Sequence, residues 1–318
     1  MAEIGKDIDK ARTLLEAGEV VAIPTETVYG LAGNALDVEA VTKIFKVKDR
    51  PYFDPLIVHV PDAKAVYQYA ANIPHQAVAL FEKFWPGPLT VLLEKKNIIP
   101  DLVTSGLDRV GLRCPQHPLT TELLQRLPFP LAAPSANPFG YISPTKPEHV
   151  NDQLGNKIKY ILDGGECKVG IESTIVGFEQ GMPVIYRVGG LAVDQIETVI
   201  GKVQVKESSS NPQSPGQLQS HYAPRKQMVV GVIPELLQEF SHQTLGVLSF
   251  RTMYQSDAIK KQIILSPTGD VEEAAQKFFS SLRELDRSQV DLIIAEEVPA
   301  AGLGRAINDR LKRASSKK

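Results

Sequence analysis

The sequence predicts an α/β protein: one large, twisted, mixed sheet flanked by helices, followed by a second, smaller α/β unit of Rossmann-like type. Three observations predict it. Helix-like and strand-like periods alternate along roughly the first two hundred residues. At 206–224, KESSSNPQSPGQLQSHYAP, the composition shifts to Ser, Pro, Gly, Asn and Gln, and apolar residues nearly vanish. Beyond it a shorter alternation begins, about 90 residues long and large enough to fold. A length of 318 residues fits two domains at about 150 each. The expected organisation is therefore 1–205, a linker or lid at 206–224, and 225–318.

Ile4, Ile8, Ala11, Leu14 and Leu15 have helical spacing that stops at Gly18. Residues 19–23, EVVAI, read as a buried strand ended by Pro24. Helices are expected near 38–48, 75–84 and 117–126, and strands at 55–60, 89–93, 109–113, 158–162, 172–178 and 183–188. In the second unit the pattern gives strands near 228–233, 245–249 and 291–294, an amphipathic helix at 270–286, and a closing helix over 303–313.

Hydrophobic residues at 43% and charged residues at 23% exclude a disordered or fibrous chain. A net charge of −2 provides no global field for nucleic acid, although a local basic patch stays possible. Two cysteines outside any Cys/His cluster argue against a disulfide framework or structural zinc and suit a reducing cytoplasm. No apolar run approaches the ~20 residues of a membrane span, and the charged N-terminus lacks a signal-peptide core. A cytoplasmic protein without membrane contact is expected.

Chemistry-bearing residues gather in five places. Pro24-Thr25-Glu26-Thr27-Val28-Tyr29-Gly30-Leu31 follows a strand, and reads either as a polar turn or as a ligand site at a strand end. Lys43, Lys46, Lys48 and Arg50, opposed only by Asp49, are either one solvated face or an anion site. Ala133-Pro134-Ser135-Ala136-Asn137, with Gly140 and Ser143, is an ordinary turn or a phosphate cradle. Residues 170–176, GIESTIV, with Arg187-Val188-Gly189-Gly190, and the segment Ser214-Pro215-Gly216 to His221-Tyr222-Ala223-Pro224 carry little alone. Ser143 to Lys146 matches an SxxK spacing without its companion motifs. The six histidines form no metal spacing, and neither GxGxxG nor a Walker loop is present.

In this order the motifs resemble the YrdC-like threonylcarbamoyl-AMP synthases. The family's KxR…SxN signature falls on Lys48, Arg50, Ser135 and Asn137, and Phe84 to Thr90, FWPGPLT, fits as well. SPGxxxxHYAP and the closing Gly304 to Leu311, GRAINDRL, are similar to the longer branch with a Sua-type C-terminal domain. The resemblance implies synthesis of threonylcarbamoyl-adenylate and pyrophosphate from L-threonine, bicarbonate and ATP, with Mg2+ accompanying ATP. The product would pass to a threonylcarbamoyl transferase machinery that modifies tRNA. By position, Thr27, His59, Arg113, Ala133 and Ser173 match the threonine site. Arg50, Asp54, Arg109, Ser135, Asn137, Ser143, Arg187 and Tyr222 match the ATP site, and Lys48 and Arg50 the catalytic cations. Asp54 stands where Asn is usual, and Arg109 where Thr is more frequent. Tyr222 would belong to a lid protecting the labile adenylate. The alternative is a non-catalytic RNA-binding module, with weak RNA contact through the 43–50 cluster.

Overall fold

The computed structural model describes residues 1–206 and 222–316. The expected linker or lid falls almost wholly on 207–221, outside the described residues. The first part of the chain runs β1 (Glu3–Gly5), α1 (Ile8–Glu16), β2 (Val21–Ile23), β3 (Gly30–Asn34), α2 (Val38–Lys48), β4 (Ile57–His59), α3 (Val66–Tyr69), α4 (His75–Phe84), β5 (Leu89–Glu94), α5 (Asp101–Thr104), β6 (Arg109–Arg113), α6 (Pro118–Arg126), β7 (Leu131–Ala132), α7 (Pro147–Leu154), β8 (Tyr160–Leu162), β9 (Thr174–Glu179), β10 (Met182–Arg187), α8 (Val193–Ile200) and β11 (Gln204–Val205). The second part runs β12 (Gln227–Val230), α9 (Ile233–Glu239), β13 (Leu245–Ser249), β14 (Ile259–Ile264), α10 (Val271–Arg287), β15 (Leu292–Ala295) and α11 (Gly304–Ser315).

Among the described residues, eleven strands form one mixed sheet in the order β1-β8-β2-β3-β7-β4-β6-β5-β9-β10-β11. Its central strands show why one side can hold a site. Alternation sends Val58, Val110, Leu112, Val91 and Val176 to the face that carries the main core. The opposite face takes their neighbours: Ile57 and His59, which register with Gly111 and Arg113, and Thr90, opposite Arg113. Farther along this face Ile57, Leu92, Ile175, Val184 and Tyr186 make a small apolar cluster.

The other four strands form a parallel sheet in the order β12-β15-β13-β14. Its middle strands are apolar on both faces, as a doubly covered parallel sheet requires. Leu245, Val247, Leu292 and Ile294 meet Ile233 and Leu236 of α9. Leu248, Ile293 and Ala295 meet Phe278, Phe279 and Leu282 of α10 and Ile307 and Leu311 of α11. That second cluster also takes in Val28, Ile142, Ile171 and Tyr222, so it is continuous with the first sheet's surroundings.

Two details differ from the periodicity. Ile4 is not helical but lies in β1, which pairs in parallel with β8. The helix begins at Ile8 because the Asp7 side chain accepts from Lys10 N at 2.9 Å. Strand β14, IKKQII, alternates poorly and lies at the sheet edge; its existence was not apparent from pattern.

Candidate active site

The pocket lies on the free face of the large sheet. Val28, Arg50, Ile57, His59, Arg113, Ala133, Pro134, Ser135, Glu172, Ser173, Arg187 and Tyr222 line it. Eight of the expected residues are thus gathered there: Arg50, His59, Arg113, Ala133, Ser135, Ser173, Arg187 and Tyr222.

One half is built on the 24–31 turn and strands β4, β5 and β6. Thr25 Oγ1 donates to Val28 O at 2.7 Å and accepts from Thr27 N and Val28 N, a hydroxyl-closed turn that fixes Thr27. Arg113 Nη2 donates to Thr27 Oγ1 at 2.8 Å and pairs with Glu26 Oε2 at 2.8 Å. Its Nε has no hydrogen-bond partner among the described residues. Beside it His59 is buried; desolvation first, then the Arg113 charge, press its pKa down to about 3, so the ring is neutral at pH 7. Ser173 shares a hydrogen bond with Thr90 at 2.8 Å.

The other half rests on a helix end and a bulge. In α2 the buried positions Ala40, Val41, Ile44, Phe45 and Lys48 share one face. Asp49 then adopts φ 53°, its N–H closing on Lys46 O and Phe45 O, and the chain turns so that Arg50 enters the pocket. Arg50 donates to Asp54 O at 3.0 Å and Pro55 O at 2.8 Å and pairs with the Asp54 carboxylate at 2.8 Å. Burial raises the Asp54 carboxyl, and the Arg50 and Lys48 charges partly oppose the rise.

Arg187 arrives by a different device. Ile185 registers with Val176, but Arg187 registers with Ile175, so the strand carries an irregularity between them. Simple alternation would send Ile185 and Arg187 to the same, core-facing side. The bulge turns Arg187 to the pocket, where it donates to Ser173 O at 2.9 Å and Ser173 Oγ at 3.1 Å. The following Gly189 is needed because a Cβ there would lie 2.3 Å from Glu172 O.

The other six expected residues do not line it: Thr27 and Asp54 stand behind it on Arg113 and Arg50, and four lie farther off. Lys48 is buried behind the pocket wall, its Nζ donating at 2.5 Å to both Ser135 O and Asn137 O. It is a strut for the SxN loop, not a lining cation, and burial lowers its pKa well below the usual value. Asn137 stands in that loop, its amide donating to Pro138 O and Tyr141 O. Ser143 is one layer back and donates to Glu172 Oε1 at 2.5 Å. Arg109 requires correction. It shares a face of β6 with Arg113 but lies at the opposite strand end, beyond the apolar cluster of Ile57, Leu92 and Tyr186. There it donates to Tyr186 Oη at 2.8 Å and lines a separate groove with Asn72 and Phe178.

The 43–50 cluster does not form one solvated face. Lys48 and Arg50 are buried, and Lys43 bonds Gly18 O and Glu19. Two acids inside the quoted motifs take places at the site that the motifs did not assign: Glu26 pairs with Arg113, and Glu172 lines the pocket. Among the described residues no three His, Cys, Asp or Glu side chains form a metal-binding group, and no helix is long and apolar enough to cross a membrane.

Family models and known relatives match the chain over nearly its whole length. The Sua5–yciO–yrdC family model, described as "Telomere recombination", matches residues 13–189. The model for the threonylcarbamoyl-AMP synthase C-terminal domain matches 191–316. The threonylcarbamoyl-AMP synthase of Pyrococcus abyssi is 40% identical over 96% of this chain and 93% of its own. That of Bacillus subtilis is 40% identical over 97% and 92%. The crystal structure of P. abyssi Sua5 complexed with L-threonine superposes with a TM-score of 0.92 at 38% identity, covering 99% of this chain and 97% of that one. From its first sheet to its last helix, the chain belongs to the two-domain branch of the threonylcarbamoyl-AMP synthase family.

Proposed function

We propose that the chain makes L-threonylcarbamoyl-adenylate and pyrophosphate from L-threonine, bicarbonate and ATP. The observation that carries this reading is the joining of two unlike polar sets in one pocket. His59, Arg113 and Ser173, with Thr27 holding Arg113 from behind, suit an amino acid, and Arg50, Ser135, Arg187 and Tyr222 suit a nucleotide.

The chemistry asks for positioning and charge, not for a protein nucleophile. The threonine amine adds to bicarbonate-derived CO2 to give a carbamate. A carbamate oxygen attacks the α-phosphorus, and the P–O bond to pyrophosphate breaks, pyrophosphate leaving with the electron pair. Arg113 lines the pocket, held there through Nη2 by Thr27 and Glu26, and is the cation for the threonine carboxylate. Ser173, fixed by hydrogen bonds to Thr90 and Arg187, is placed for the substrate's small polar groups, and Thr27 steadies Arg113. His59 is neutral, so it can donate or accept at the carbamate without adding a cation. Arg50 and Arg187 neutralise charge gathering on the phosphates in a site shielded from water. Lys48 holds the Ser135–Asn137 backbone in shape for them.

ATP would bring Mg2+ bound to its phosphates, where the ion would neutralise phosphate charge. Asp54, a carboxylate beside Arg50, is already ion-paired with it, so the ATP phosphates would carry the ion. The product supplies threonylcarbamoyl to a downstream tRNA-modifying transferase, in a cytoplasmic setting where the buried thiols of Cys114 and Cys167 stay reduced. Inward-facing Lys48 and Arg50 favour this reading over an RNA-binding module. The test is mass detection of threonylcarbamoyl-AMP from purified protein given 13C-bicarbonate, threonine and ATP. Absence of labelled adenylate, with the protein folded, would reject the reading.

A further inference from the structure

The closing motif of the sequence, Gly304 to Leu311, plays no part in the mechanism above. Yet its Arg310 is fully buried and reaches the pocket wall from behind. Its Nε donates to Glu172 Oε2 at 3.1 Å, and its guanidinium lies over the Tyr222 ring, 5.0 Å from the centroid. Nη1 is held by Asp309 at 2.6 Å, and Asp309 in turn accepts from Arg313 Nε at 3.0 Å. Glu172 and Tyr222 both line the pocket. Arg310 therefore touches two lining residues without lining the pocket itself.

Both residues need restraint. Glu172 is a buried carboxylate on the wall of a site that receives a triphosphate, and it lies close enough to Arg187 to favour that residue's charged form. Left uncompensated, it would repel phosphate and compete for Arg187. Tyr222 has φ 64°, a left-handed conformation costing a bulky residue about 1–2 kcal/mol, kept only where the surroundings over-determine it. Here Arg310 covers one part of the ring, Phe279 approaches at 5.7 Å, and Ala223 N donates to Gly140 O at 2.9 Å.

The mounting is rigid. Helix α10 bonds the same wall: Arg283 donates to Ser143 O at 3.2 Å, to Ile142 O, and to Gln153 at 3.0 Å. Gly170, at φ 76°, lets α10 approach so closely that a Cβ there would lie 2.5 Å from Gln276 Cα. Helix α11 packs with α10 in one apolar cluster, so Arg310 is carried on elements tied to residues 170–173.

We propose that Arg310 is a positioning residue for the nucleotide half of the pocket, drawing the Glu172 carboxylate back from the phosphate path and seating Tyr222. The inference rests on the synthase reading for the identity of the nucleotide. The C-terminal unit then contributes to ATP recognition through one side chain and not merely as a covering.

The full-length Arg310→Met variant, which keeps the apolar stem, is compared with wild type by calorimetric titration of a non-hydrolysable ATP analogue and of threonine, alongside product formation and thermal melting. Affinity for the analogue should fall about tenfold or more, the range for stranding one partner of a buried charge pair, while threonine affinity shifts by less than about threefold. Adding Glu172→Gln to Arg310→Met should recover at least about threefold of the lost affinity, because the stranded charge is gone. A scaffold role would instead weaken both ligands together, lower the melting temperature and give no recovery. Either that pattern or an unchanged analogue affinity overturns the proposal. Should Arg310→Met not fold, Arg310→Lys with and without Glu172→Gln makes the same comparison. A wild-type chain that binds the analogue but makes no adenylate would sink the synthase reading and leave the affinity test of Arg310 intact.

Discussion

Around the pocket, Lys48, Arg50, Arg113 and Arg187 are each 7% exposed or less, balanced by buried Glu26, Asp54 and Glu172. In the four-stranded sheet the middle strands β13 and β15 bury Leu245, Val247, Leu248, Leu292, Ile293 and Ile294 and carry no charge. Apolar burial stabilises by about 25 cal/mol per Å2. Buried ion pairs come near to breaking even, and turn costly when one partner is lost. One region therefore holds the chain folded, and the other holds charges in readiness for ligands. The same kind of truncation should be read as lost stability in one and lost chemistry in the other.

The sharpest test of that contrast is Arg50→Ala, expected to lower ATP-dependent pyrophosphate release by about 10^3-fold, as for loss of a preorganised charge donor. The change also strands Asp54, so the Arg50→Ala/Asp54→Asn double variant should regain stability to denaturant but not activity. Returned activity would make the pair scaffolding. Ile294→Ala is the counterpart in the apolar region. It should cost about 2–5 kcal/mol in urea denaturation, while kcat/KM of the folded protein changes by less than about twofold. A large fall in kcat/KM would break the separation.

Acidification probes the large-sheet region, where His59 lines the pocket and His149 lies in α7, its Nδ1 accepting from Thr145 N. His59 and His149, each with a pKa pressed to about 3 by burial, stay neutral when folded but take up protons near pH 6.5 when unfolded. The unfolded state then binds more protons between these values. Stability is full above about pH 6.5 and falls toward pH 3, with a slope of up to about 1.4 kcal/mol per pH unit per histidine. His59→Asn should make the denaturation profile shallower; an unchanged slope would mean that His59 is accessible. Arg109→Ala should have the smallest effect, less than about threefold on KM for ATP, since the apolar cluster separates it from the pocket. A tenfold rise would return Arg109 to the site.

Strands with clear alternation, such as 109–113, and helices with strong apolar faces, such as 75–84 and 270–286, were legible to within a residue or two. Gly30–Asn34 and Ile259–Ile264 were not, because small residues in one and lysines in the other hide the period. The motifs named most of the pocket, but their local order could not give depth. Lys48 and Arg50 are two apart, yet the left-handed Asp49 between them turns one into a strut and the other into the lining. Arg109 and Arg113 share a parity that fixes the face and not the place along it. Arg187 depends on a bulge that the sequence does not mark. The Glu172–Arg310 bond spans 138 residues, and no local pattern predicts it.

The close approach at Gly170 has a consequence for how this protein can be rebuilt. With no room for a single carbon between that loop and Gln276, the two halves meet as matched castings and not as a module plugged into a socket. Transplanting a C-terminal half from a relative should work only when the donor helix leaves the same clearance, and a chimera that misses by an ångström would misplace Glu172 and Ser173, two and three residues further along the chain.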